Sequence, residues 1–522
     1  MKLNYVRTIC VGFAFFLICM FWQAYDNTIP LILTNKFGMS QSWSGVIMAL
    51  DNILALFMLP MFGAISDKCQ SRLGRRTPFI LIGTIAAAVC FVLLSLTDGW
   101  QLSKLSAVST IDDETALRTI YEAEKDEELI TPNGDKFKLS QLYTEDEFAS
   151  IKSQSTDESG KTKTSEEYTN YVVPARQAYA HDETLSNPAP LIFFIILLLA
   201  TLISMATFRS PAVALMPDVT MKPLRSKANA IINLMGTAGG MLVLVLGIVF
   251  QTSAVKNSMM AYTPYFSLIA LIMLLALLIF MLTVREPKFV EEMQAESKKY
   301  GIDEEATTEE QAEHAGKKKL GAAEKRSLIF ILASIVCWFA GYNAVTSKYS
   351  VYASNILHKD YNTTLLIAQG AAIISYLPVG VISSKIGRKK MIMIGVGMLA
   401  IAFLAASFMQ SDSPTMLMNV MFALAGIAWA SINVNSFPMV VEMCSGADVG
   451  RYTGFYYTAS MAAQVMTPIV SGFLMDKFGM RVLFPYAVCF VALAMVTMTF
   501  VKHGDSKPVA KKGLEALDED MD

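Results

Sequence analysis

Asp26 and Asp51 are the two acidic residues of this chain that fall inside long apolar runs. Asp26 lies in Trp22-Gln23-Ala24-Tyr25-Asp26-Asn27, an acid among aromatics and amides, and Asp51 is followed by Asn52. A carboxyl group that passes between apolar and aqueous surroundings takes up and releases a proton. Charged and unpaired inside hydrocarbon it costs several kcal/mol, so such residues usually face a cavity and do work there. Arg209, inside another apolar run, is a counter-ion candidate for either acid. Further polar residues interrupt apolar runs at Gln23, Asn27, Asn233, Tyr342, Asn343, Gln369, Asn433 and Gln464, with Trp22, Tyr25, Trp338 and Trp429 nearby. Amides and phenols hydrogen-bond hydroxyl groups, and aromatic faces stack on weakly apolar rings, so together they suit a polyhydroxylated solute. Taken singly, each also suits a hydrogen bond between helices.

The elements that must position these groups follow from where charge is scarce. The chain has 522 residues, 53% hydrophobic and 17% charged, against roughly a quarter charged in ordinary soluble domains. Segments 98–188, 284–326 and 502–522 hold 58 of the 88 charges in 155 residues, leaving 30 for the other 367. A soluble enzyme of this length is excluded, and the lipid bilayer is the expected surrounding. A net charge of −2 carries no basic bias toward nucleic acid. The seven cysteines form no CxxC pair, and neither a metal site, a cofactor nor a nucleophile–base constellation is expected.

Stretches of about 20 apolar residues cross ~30 Å of hydrocarbon. Twelve are expected, near 7–31, 44–66, 78–97, 189–216, 228–251, 262–284, 327–350, 362–384, 390–409, 415–440, 452–475 and 482–501. The fold class is an all-α membrane protein of two six-helix bundles with a large extracellular insertion between the third and fourth spans. Residues 1–97 hold spans one to three, 98–188 the polar insertion, and 189–284 spans four to six. A cytoplasmic linker occupies 285–326, spans seven to twelve 327–501, and a cytoplasmic tail 502–522. Lys and Arg concentrate in the loops after spans two, four, eight and ten, which places both termini in the cytoplasm. The insertion, with 19 acidic and nine basic residues, is expected as a solvated cap of short helices and disordered stretches.

The two halves repeat. Gly63-Ala-Ile-Ser-Asp67-Lys68 runs on to Arg72, Gly74, Arg75 and Arg76, and Gly380-Val-Ile-Ser-Ser384-Lys385-Ile leads to Gly387, Arg388 and Lys389. Pro217-Asp218 with Arg225 matches Pro438 with Glu442 and Arg451. Asp67 ends a helix beside arginines, where it pairs with them or caps a neighbouring helix. These groups are the candidate gating residues, with the stronger latch expected in the first half because Ser384 stands where Asp would be.

The tandem Gly-x-x-x-Asp-Lys…Gly-Arg-Arg pattern resembles the major facilitator superfamily. Gly63–Phe79, with Pro211–Asp218 and Arg225–Ala230, is similar to plant sucrose carriers and related proton-coupled sugar transporters, near the glycoside–pentoside–hexuronide cation symporters. That resemblance implies proton-coupled symport of a glycoside, a disaccharide such as sucrose or maltose, by a monomer in the plasma or inner membrane. Asp26, Asp51 and Arg209 would couple the proton. The chain departs from those families where Val213 replaces an arginine, Arg209 lying one turn earlier, and where Ala55 and Leu59 replace paired aspartates. Without that pair a sodium site is not expected, which favours protons. The Gly-Pro pattern of exporters is missing from span five. The alternatives are a carrier or exporter of another small organic solute, and a transport-fold sensor.

Overall fold

An apolar segment in lipid must satisfy its backbone within itself, which makes it a helix. The computed structural model describes residues 3–156, 162–221, 224–300, 321–441 and 449–503. Helices α1 (Tyr5–Asn35), α2 (Gln41–Asp67) and α3 (Thr77–Lys104) come first. A small domain follows with α4 (Glu114–Glu124), strands β1 (Leu129–Ile130) and β2 (Lys136–Phe137), α5 (Leu139–Leu142), α6 (Glu145–Ser150), β3 (Gln154–Thr156), β4 (Thr162–Thr164) and α7 (Val173–Ser186). Then come α8 (Ala189–Asp218), α9 (Arg225–Phe250), α10 (Thr263–Thr283) and the polar α11 (Glu286–Lys299). The second half has α12 (Ala322–Tyr352), α13 (Tyr361–Ile386), α14 (Arg388–Ser407), α15 (Thr415–Val441), α16 (Val449–Phe478) and α17 (Leu483–Thr499).

Among the described residues, eleven helices are long and apolar enough to cross a membrane. The sequence predicts twelve; α13, the eighth in that order, packs among the eleven without being one of them.

Helix pairing repeats between the halves. Helix α1 packs on α9 as α12 packs on α16, α3 on α8 as α14 on α15, α2 on α8 as α13 on α15, and α3 on α10 as α14 on α17. The halves meet through α2–α16 and α9–α13, themselves an equivalent pair, and through α1–α12. Each half has its own apolar core, one around Phe21, Phe91 and Phe266 and the other around Trp338, Tyr349 and Phe484.

The segment between α3 and α8 departs from the expected loose cap. It folds around its own core of Leu105, Leu117, Ile120, Leu139, Phe148 and Tyr168. Two antiparallel hairpins, β1–β2 and β3–β4, add a little strand to an otherwise helical chain. Its high charge hid an amphipathic pattern: in α4 the buried residues are Ala116, Leu117, Ile120, Tyr121 and Glu124, one face of a helix. Val255 and Met259, from the α9–α10 connection, join this core and tie the domain to the first half. The turn of its first hairpin reaches the second half, where Met480 N donates to Pro132 O at 2.7 Å and Arg481 Nε to Asn133 Oδ1 at 2.6 Å. Gly479 has φ +84°, and a Cβ there would lie 2.3 Å from Asn133 O, so the contact requires glycine.

Two charges read as loop residues are in fact buried. Lys36 Nζ donates to both oxygens of Asp98 at 2.6 and 2.7 Å and to Met260 O at 2.7 Å, with both side chains inaccessible. Asp98 belongs to α3 because the helix runs past the expected span end at 97, through Trp100 and Leu102, to Lys104.

Glu124 is buried in the small domain, and that burial, with Asp182 and Glu127 nearby, pushes its carboxyl up to about 7. A raised carboxyl contributes most below its unfolded value near 4.5 and loses that contribution as pH rises through 7. Glu124→Gln should therefore raise the melting temperature at pH 8 by about 2–4 °C and leave it nearly unchanged at pH 5. Thermal unfolding of wild type and variant at both pH values measures this.

Candidate functional site

A cavity of about 430 Å³ lies between the halves. Helix α1 presents Ile18, Cys19, Trp22, Gln23, Asp26 and Asn27 to it, a spacing that keeps all six on one helical face. Arg209 of α8, with Thr237 and Gly240 of α9, completes the first half's wall. From the second half come Tyr342 and Thr346 of α12, Gln369 and Tyr376 of α13, and Phe422, Gly426 and Trp429 of α15.

The polar groups in this wall are under-used by the protein itself. Gln369 Nε2 donates to Gln23 Oε1 at 2.5 Å, a hydrogen bond that crosses between the halves. Gln369 Oε1, Trp22 Nε1 and Asn27 Nδ2 are buried without a hydrogen-bond partner among the described residues. A buried polar atom left unpaired costs about 1–3 kcal/mol, a cost that a hydroxylated ligand relieves. Tyr342 and Trp429 stack with ring centroids 3.5 Å apart and planes at 4°, and Phe339 meets Trp429 edge-on at 5.3 Å. The stacked Tyr342 and Trp429 rings both line the second half's wall, with Phe339 behind them.

Asp26 accepts no hydrogen bond among the described residues. Arg209 is within electrostatic reach of both Asp26 and Asp51, yet its guanidinium lies over the Trp22 ring, 5.4 Å from the centroid. Neither acid comes within 4 Å of it among the described residues. Asp51 is set back from the cavity and accepts from Asn52 N at 2.6 Å and Asn52 Nδ2 at 2.7 Å.

The other expected site residues divide. Trp22, Gln23, Asn27, Tyr342 and Gln369 line the cavity. Tyr25, Asn233, Asn343, Asn433 and Gln464 do not. Tyr25 is fully buried against Phe21 and Trp22, and the Asn233 carbonyl accepts from Thr237 Oγ1 at 3.0 Å. The sequence does not single out Cys19, Thr237, Thr346 and Tyr376 as site residues; their signal is position, one helical turn from Gln23, Asn233 and Tyr342 for the first three and two turns from Gln369 for Tyr376.

At the end of the molecule bearing the repeated loops, Arg76 is nearly buried and joins three groups. Its NH2 lies 2.5 Å from Asp67, its Nε 2.8 Å from Asp218, and its NH1 donates to Ser66 Oγ at 2.5 Å. Arg75 reaches Asp218 at 3.3 Å. The sequence pattern places Glu286 in the linker. It is buried, accepts from Arg75 N, Arg76 N, Thr77 N and Thr77 Oγ1 at 2.7–3.1 Å, and so caps the start of α3. Gly74, at φ +111°, leaves room for that carboxylate. Gly63 lies close to Ser210 of α8, Arg72 is exposed, and Arg225 Nε donates to Thr220 O at 3.1 Å. In the second half Ser383 Oγ donates to Gly380 O at 3.0 Å, and Gly387, at φ +95°, separates α13 from α14. Arg388 is buried, and Lys389 Nζ donates to Val501 O at 2.5 Å and Thr499 O at 3.2 Å. Glu442 and the side chains of Ser384 and Arg451 lie outside the described residues.

The sequence pattern of the Major Facilitator Superfamily matches residues 184–437 and 364–518, well over half of the chain. The chain belongs to this superfamily. Its residues 10–111 also match the pattern described as MFS/sugar transport protein. Two Arabidopsis thaliana relatives are similar over short stretches: sucrose transport protein SUC4, 34% identical over 59 residues, and SUC3, 35% over 68. These stretches cover 11% and 13% of this chain and only 12% and 11% of the relatives. The inward-open structure of the xylose transporter XylE from E. coli shares the fold at 16% identity. Its TM-score is 0.57, with 98% of this chain and 99% of that one covered.

The superfamily's loop signature here is a compact ion network within one half. Arg76→Ala leaves Asp218 without its closest partner and should lower stability by about 1–3 kcal/mol, whereas Arg72→Ala should stay within about 0.5 kcal/mol of wild type. Thermal unfolding of both purified variants gives the comparison.

Proposed function

We propose that this protein takes up a glycoside, a disaccharide such as sucrose or maltose, by proton-coupled symport with alternating access. The observation that carries the reading is a cavity walled by both halves, holding an acid, unpaired amide and indole groups, and a stacked aromatic pair. A sugar ring lies against the Tyr342–Trp429 stack while its hydroxyls take the free groups of Trp22, Asn27 and Gln369. The short matches to sucrose transport proteins and to the sugar-transport pattern support that solute class.

Asp26 is the principal coupling acid. Protonated, it is neutral beside the cavity; ionised, it is compensated by Arg209, with Asp51 as a second acid behind them. Substrate and proton bound together let the halves rock about the cavity, as in other carriers with a binding site between two repeats. In this reading α13 is the eighth span and brings the count to twelve, both termini are cytoplasmic and the 98–188 domain is external. Segment 285–326 is a cytoplasmic linker, 502–522 a cytoplasmic tail, and the carrier is a monomer in a plasma or inner membrane. The Asp67–Arg76–Asp218 network then lies at the cytoplasmic end, where its rearrangement accompanies opening and closing.

For one proton per solute, a gradient of about one pH unit drives roughly tenfold accumulation. In proteoliposomes, Asp26→Asn should abolish that accumulation while leaving exchange of labelled for unlabelled sugar. Coupled accumulation by this variant would remove Asp26 from its role. Trp429→Ala should raise KM for the sugar about 2–10-fold, the loss expected for one stacking contact. If no glycoside in a labelled panel is accumulated under an imposed pH gradient, the sugar reading fails.

A further inference from the structure

Hydrogen bonds between the halves gather at the end of the molecule opposite the repeated loops, and one cluster there is built from charge. The first-turn N–H groups of a helix have no partner within it. In α2 the N–H of Trp43 reaches Ser40 Oγ, but those of Gln41 and Ser42 donate to the two oxygens of Asp476, each at 2.8 Å. The Ser42 hydroxyl also donates to Asp476. Asp476 belongs to α16, so the second half caps a helix of the first. Lys348 of α12 is fully buried and donates to the Gln41 carbonyl at 2.7 Å. Lys348 and Asp476 are not in contact, yet they interact electrostatically. They bracket one residue, taking its N–H and its carbonyl. Close packing holds that residue in place: a Cβ on Gly472 would lie 2.2 Å from Gln41 O, and one on Gly45 would lie 2.1 Å from Pro468 O.

We propose that Lys348 and Asp476 are positioning residues that exchange partners during the transport cycle. With this end closed, both hold Gln41 and Ser42 of α2; with it open, α2 withdraws and the two charges pair with each other. The physical reason is that both belong to the second half and move together. When the halves separate, the ammonium and the carboxylate both lose the α2 groups that satisfy them. Such a charge without its partner costs several kcal/mol, which would freeze the closed state. Both bond to the same residue, Gln41, and α12 packs on α16, so each has a partner on its own half that removes that cost from the open state. In the closed state, Asp476 still finds three donors and Lys348 an acceptor. Both end states keep the charges satisfied, so the equilibrium stays near balance and small differences in ligand binding tip it. This exchange rests on alternating access as read above, but not on the identity of the solute.

The test reads distance between the halves without substrate. Spin labels are placed at Lys256→Cys, in the α9–α10 connection, and Asp412→Cys, between α14 and α15, in a full-length chain whose native cysteines are replaced. Pulsed dipolar spectroscopy in proteoliposomes gives the short (closed) and long (open) populations. Ser42→Ala removes one hydrogen bond to a charged group in the closed state only, and should raise the ratio of open to closed about tenfold. The charge exchange Lys348→Asp with Asp476→Lys retains an ion pair for the open state. It destroys the closed one, since ammonium cannot accept from the α2 N–H groups and carboxylate cannot donate to Gln41 O. Its long-distance population should therefore rise beyond that of Ser42→Ala. An unchanged distribution in both variants overturns the proposal. A shift in Ser42→Ala alone, with the charge exchange folded but unshifted, overturns the exchange and leaves a lock for the closed state only. Should the charge-exchanged chain not fold, an unshifted Ser42→Ala overturns the proposal and a tenfold shift supports it. Distances that shift as expected in a protein that accumulates no glycoside would reject the solute reading and leave this one standing.

Discussion

A polar group placed in hydrocarbon must find its partner inside the protein, and the rest of this structure depends on how that demand is met. Four acids show the range. Asp98 is held by Lys36 and by Tyr262 N; Glu286 accepts from three backbone N–H groups and a hydroxyl; Asp476 takes the first turn of α2. Each is satisfied by fixed donors and fixes helices in return. Asp26 is the exception: it faces the cavity with no hydrogen bond among the described residues, and the nearby guanidinium is turned over an indole. That contrast, an acid at the cavity with no fixed donor beside three held by several, is what the coupling proposal rests on.

The same demand sets where the molecule holds together. Two symmetry-equivalent helix pairs, α2–α16 and α9–α13, join the halves, and polar contacts accompany both at one end. Asp476 serves the first pair. In the second, Ser253 donates to Asp360 at 2.7 Å and Asn362 to Thr252 at 3.1 Å. The small domain adds a third contact there by laying its hairpin turn on Met480 and Arg481. It is anchored on the first half through a shared core, so it links the two halves at that end without lining the cavity. By contrast, the Asp67–Arg76–Asp218 network lies wholly within one half.

Much of the fold was legible because hydrophobic length and charge position are local properties. Spans, repeat and polar segments follow from counting residues, as does the isolation of Asp26 and Asp51. The aromatic and amide character of Trp22–Asn27 was legible too, since a helix displays residues four apart on one face. What the chain order hid were partnerships across distance. Lys36 read as a loop charge because its partner is 62 positions away. Glu286 read as linker because the helix it caps begins 209 positions earlier. The insertion read as loose because its few apolar residues form a core only once its helices and hairpins are brought together.

By itself, the sequence determined the membrane class, the twofold repeat and the short list of polar residues that a bilayer would not tolerate without a purpose. Those depend on composition along the chain and on one helical period. Only the tertiary structure decided which of those residues share a cavity and which serve packing. It set Gln23 against Gln369 and Tyr342 upon Trp429, and left Tyr25, Asn233, Asn343, Asn433 and Gln464 off the cavity wall. The rotation of one helix about its axis settles which of its faces meets the other half, and that rotation is fixed by packing against neighbours hundreds of residues away.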